Sequence, residues 1–77
     1  MYLSDAIRKR LNNLMKENHL NTNKLALYSV MNRSNISRFL KKKNKTITIE
    51  SITLICQSLN VSLKDFFYDD VFKDVDD

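Results

Sequence analysis

"TNKLALYSVMNRSNISRFLK", residues 22–41, decides the fold. Two apolar patterns of helical period lie in it, with no room between them for more than a tight turn. In the first, Leu25 and Ala26 form an inward pair within residues 22–29, and Asn21 stands where a helix N-cap belongs. In the second, Ile36, Phe39 and Leu40 recur at i, i+3 and i+4 within residues 33–41, after Asn32 as cap. Only residues 30–32 separate the two patterns. A connector that short turns the second helix steeply away from the first, which is the helix-turn-helix arrangement.

The rest of the chain supports a helical reading. Its 77 residues contain neither glycine nor proline, which removes the usual punctuation of hairpins and sandwiches. Apolar residues make up 43% of the chain, enough for one modest core. A first helix is expected over 4–18, with Ser4 as cap, Asp5 in its first turn, and Leu3, Ile7, Leu11 and Leu14 as its buried stripe. Arg8, Lys9, Arg10, Asn12 and Asn13 fall on its other faces. A fourth is expected over 49–59 behind Thr48, with the stripe Ile49, Ile52, Ile55, Cys56 and Leu59. A fifth is expected over 63–69, where Ser62 and Asp65 are spaced as a capping box and Val61 and Phe66 as a hydrophobic staple. Helices this short are marginal alone and must be held by mutual packing. The expected fold class is therefore all-α: a compact five-helix bundle around a central helix-turn-helix, spanning residues 1–68. Residues 69–77 form an acidic C-terminal tail.

Charge is distributed unevenly. The tail holds five Asp and one Lys, whereas the other 68 residues carry 12 basic and 4 acidic groups, a charge of +8. Between Glu17 and Glu50 there are seven Lys or Arg residues and no acid. A lysine run alone is most often a solvated face. An acid-free surface joined to a tight helix pair with a polar outer face points instead to a polyanion, and double-stranded DNA fits best. The major groove admits one α-helix. On the outer face of 33–41, Arg33 and Arg38 can each fork onto guanine O6 and N7, while the short Ser34 and Ser37 allow close approach; these four are the candidate base readers. Lys41, Lys42, Lys43, Asn44 and Lys45 follow the helix end, where phosphates run beside the groove. Thr22, Asn23 and Asn35 complete the candidate phosphate contacts.

No enzyme is indicated. The chain lacks a glycine-rich phosphate loop, a metal-spaced His/Cys cluster and a carboxylate pair in an apolar setting, so no cofactor, metal or small-molecule substrate is expected. Cys56 lies inside an apolar stripe and reads as an inert packed thiol. His19, in KENHLN, reads as a residue near a helix C-terminus. With no signal-peptide pattern and no long apolar run, a soluble cytoplasmic protein is expected, without membrane attachment. Phe67, Tyr68, Val71 and Phe72 form an aromatic C-terminal cluster that suits a dimer surface. The alternative class is a protein-interaction module, such as an antitoxin or anti-repressor subunit, using that cluster or the acidic tail.

Over residues 7–67 the sequence resembles the Cro/lambda-repressor-like helix-turn-helix family. The matching pieces are "LNTNKLA" at the second helix, "SVMNRSNISRF" through the turn and third helix, and "SLNVSLKDFF" at the end. The resemblance implies five helices, a prokaryotic or phage transcriptional regulator, and a homodimer on a two-fold operator. It places Thr22 where the family often has a phosphate-binding glutamine, and Arg33, Ser34, Ser37 and Arg38 on base-reading positions. The chain departs from the family at three places near the turn and third helix: Val30 replaces the turn glycine, and Leu40 and Lys42 replace a common glutamate and glycine. Val30 is therefore expected to avoid the left-handed conformation. Leu27 and Leu54, at usually polar positions, are expected as exposed apolar spots.

Overall fold

Four of the five helices begin where the sequence places a side-chain cap. In the computed structural model, which describes residues 1–76, Asn21 accepts from the Lys24 amide, Asn32 from Ser34, Thr48 from Ser51 and Ser62 from Asp65. Each cap satisfies one of the amides that a helix start leaves open. Asp77, the last residue of the expected acidic tail, lies outside the described residues. The elements are α1 (Leu3–Glu17), α2 (Thr22–Ser29), α3 (Arg33–Leu40), α4 (Ile49–Ser58) and α5 (Leu63–Phe67), followed by one 3₁₀ turn (Asp70–Phe72). Leu11, Leu25, Ile36, Phe39, Ile55 and Phe66 are almost fully enclosed, so all five helices contribute to one core.

The helix ends show how a chain without glycine turns corners. His19, Val30, Lys42 and Asn60 all have positive φ, between 54° and 64°. Each follows a helix, and each closes it with the same pair of bonds. At α2, the Met31 amide reaches Ala26 O and the Val30 amide reaches Leu27 O; the pattern repeats after α1, α3 and α4. These are Schellman motifs, in which the left-handed residue lets two successive amides bend back onto the last turn. At three of the four, the residues joined by the longer bond are apolar: Met15 with Leu20, Ala26 with Met31, and Cys56 with Val61.

Several expectations are corrected. Val30 does adopt the left-handed conformation (φ 54°, ψ 42°), because the Ala26–Met31 closure requires it there. α1 starts one residue before Ser4, and Tyr2 takes the cap position without a side-chain bond. Arg8, assigned to an outer face, is buried at 7% exposure, while Leu3 and Ile49, assigned to buried stripes, are 43% and 57% exposed. Ile47 packs against the core in place of Ile49. α5 stops at Phe67 rather than 69, because Arg10 takes its last carbonyls: Nε donates to Phe66 O at 2.9 Å and Nη2 to Asp65 O at 3.2 Å. Asp69 then caps the 3₁₀ turn through the Val71 amide and pairs with Arg10 at 3.1 Å. Beyond it, Phe72 packs against the core, and the Met1 amine binds Asp76 at 3.0 Å.

Candidate nucleic-acid interface

α3 is short, and packing divides it into two faces. Ile36 and Phe39 are buried on one side, with Leu40 half-buried beside them. On the other side Arg33, Ser34, Asn35 and Arg38 are exposed, and Ser37 is half-buried at the edge. All four expected base readers therefore lie on one helix face, three of them exposed. The face carries no acid. Among the described residues, neither Arg33 nor Arg38 makes an ion pair, so both guanidinium forks are open to a ligand.

The expected phosphate contacts fall into two groups around that face. At the start of α2, Asn23 is exposed and Thr22 half-buried, next to the amides that Asn21 only partly satisfies. Past the end of α3, Lys41, Lys42, Lys43 and Lys45 are exposed, and Asn44 is half-buried. Lys42 is the left-handed residue of the closure, with Nζ 3.9 Å from Asp5. Arg8, which no periodicity marked as functional, lies beneath this loop. Its Nε donates to Phe39 O at 2.6 Å, Nη2 to Asn44 O at 2.9 Å, and Nη1 to Asp5 at 2.9 Å.

The C-terminal aromatic cluster is placed differently from a free patch. Phe67 meets Phe66 edge-on with ring centroids 5.0 Å apart, and Phe72 lies 5.2 Å from Phe67. Phe67, Val71 and Phe72 are each half-buried, leaving Tyr68 as the strongly exposed member. Elsewhere, Leu27 at 75% and Leu54 at 42% are exposed apolar residues, as expected. Cys56 is buried, and desolvation pushes its thiol pKa up against the opposing pull of Arg10. Among the described residues no His, Cys, Asp or Glu cluster could hold a metal, and no helix is long and apolar enough to cross a membrane.

A capped α2, a Schellman turn and a cation-bearing α3, both helices packed on one core, form a helix-turn-helix. The model of the Cro/C1-type HTH DNA-binding domain matches residues 10–70, and the chain belongs to that family. No curated protein and no solved structure matches the chain significantly.

Proposed function

We propose that this chain is a sequence-specific regulator of transcription, a repressor that acts by occupying its operator as a homodimer. The observation that carries the reading is the acid-free outer face of α3, with Arg33 and Arg38 exposed and unpaired among the described residues. α3 enters the major groove, where Arg33, Ser34, Ser37 and Arg38 meet base edges. Thr22, Asn23, Asn35, Asn44 and the four lysines at positions 41, 42, 43 and 45 hold the flanking phosphates. The domain performs no chemistry; occupancy of the site is its whole action, exerted in the cytoplasm on DNA. Dimerisation through the C-terminal end leaves Tyr68 as the natural contact, since Phe67 and Phe72 are largely committed to their own core.

Substitution separates the two kinds of contact. Arg33→Ala and Arg38→Ala each relax preference at particular base pairs, by about 1–3 kcal/mol. Lys43→Ala weakens all duplexes about equally and lowers the salt slope by roughly one phosphate. Arginine variants that weakened every sequence uniformly would remove α3 from the recognition role.

A further inference from the structure

We infer that Arg8 is a positioning residue for DNA binding: from within the core it fixes the loop at residues 41–45 against the end of α3, so that the readers and the phosphate-binding lysines meet one duplex in a single register. The inference rests on the proposed DNA reading, and Arg8 itself, at 7% exposure, is no DNA contact.

The reasoning begins with the helix ends. After α1, α2 and α4, the left-handed closure is sealed by Leu20, Met31 and Val61, each packed against the core. Such an apolar contact commonly accompanies the motif and holds the departing chain in place. After α3 the corresponding residues are Arg38 and Lys43, joined by the Lys43 amide to Arg38 O bond. Both side chains are exposed and cationic, so no apolar contact seals this closure. The departing chain here is also the most cationic in the molecule, with four lysines in five residues. The apolar seal is missing where cationic residues are densest.

Arg8 replaces it. Its bonds to Phe39 O and Asn44 O fall on either side of the left-handed Lys42, so one rigid fork spans the whole turn. The guanidinium carbon lies 4.5 Å from the Phe39 ring centroid, which fixes the fork to the buried side of α3. Asp5 offsets the added positive charge through Nη1 and approaches Lys42 from the same side. Lysine at position 8 could supply the charge but not a planar fork serving three acceptors at once.

The test compares wild type with Arg8→Lys, Arg8→Met and the core control Ile55→Val, all at a temperature where circular dichroism shows each fully folded. The probes are a duplex selected by the wild-type protein and a scrambled duplex, each titrated from low to moderate salt. Hydrogen exchange of the free protein provides a second measurement. The Lys43 and Asn44 amides, both bonded to Arg38 O, are expected to exchange at least about tenfold faster in Arg8→Lys, while Leu20 and Met31 keep their wild-type rates. Affinity of both Arg8 variants for the selected duplex is expected to fall about tenfold or more, with a salt slope shallower by roughly one to two phosphates although no DNA-facing residue has changed. Ile55→Val is expected to retain wild-type affinity and slope. Folded Arg8 variants with wild-type slope and wild-type exchange at Lys43 would overturn the inference while leaving the DNA reading intact. Should Arg8→Met fail to fold, Arg8→Lys alone decides. A wild-type protein showing no salt-dependent duplex binding would instead remove the DNA reading, and this inference with it.

Discussion

Val30→Gly should stabilise the protein, although it removes a hydrophobic side chain. Val30 has φ 54° and ψ 42°, a conformation that brings an L-residue's Cβ against its own backbone. That clash costs roughly 1–2 kcal/mol and is worst for β-branched residues. The side chain is 90% exposed, so truncation surrenders almost no buried area. Glycine loses more backbone freedom on folding, which returns about 0.5–1 kcal/mol of the gain. The net expectation is a gain approaching 1 kcal/mol, read as a rise of about 4–8 °C in Tm for a domain of this size. Val30→Ala keeps the Cβ and most of the clash, so it should recover less than half of the glycine effect. Urea unfolding followed by circular dichroism checks both, with an unchanged m-value confirming that the effect lies in stability and not in compactness. A destabilised Val30→Gly, or an alanine variant equal to it, would refute the left-handed assignment or show that the Val30 side chain makes a stabilising contact.

Two further outcomes test the C-terminal half. Phe72→Ala removes a half-buried ring packed at a tilt against Phe66 and Phe67; about half of a full Phe→Ala loss, roughly 2 kcal/mol, is expected in thermal unfolding, with DNA affinity of the folded variant unchanged. An unaltered Tm would show that residues 69–76 do not hold to α1 in solution. Burial raises the Cys56 pKa above its ordinary value, so the folded state favours the protonated thiol. Its contribution is then complete below the ordinary thiol range and is lost as pH rises through the folded pKa. Labelling by an alkylating reagent at neutral pH should be far slower in the native protein than in urea; equal rates would contradict a packed thiol.

Much of this architecture is legible in the residues themselves. Asn21, Asn32, Thr48 and Ser62 each announce a helix start, because a short polar side chain placed just before an apolar stripe has an amide to satisfy. The outer face of α3 follows from Ile36 and Phe39 alone, since fixing the buried side of a helix fixes the other. The helix ends were harder to read. A valine in place of the turn glycine of the resembling family points away from positive φ at Val30, yet the turn is set by the apolar pair Ala26 and Met31, five residues apart. Met15 with Leu20 and Cys56 with Val61 repeat that spacing, so the signal was present in residue pairs and invisible at the turn residue itself. Arg8 carried no such signal. Its acceptors are backbone carbonyls 31 and 36 residues away, and only the packed fold brings them together. Ile47 and Ile49 could not be separated by period either, because the loop before α4 decides which of them turns inward.

Selection of bound sequences from a pool of random duplexes tests the central claim most directly. A major-groove reader on a symmetric dimer should enrich a two-fold motif whose half-sites lie about 34 Å apart, one turn of DNA. Arg33→Ala and Arg38→Ala should each degrade that motif at distinct positions. Retention of duplexes without any enriched sequence, despite tight and salt-dependent binding, would contradict base recognition by α3.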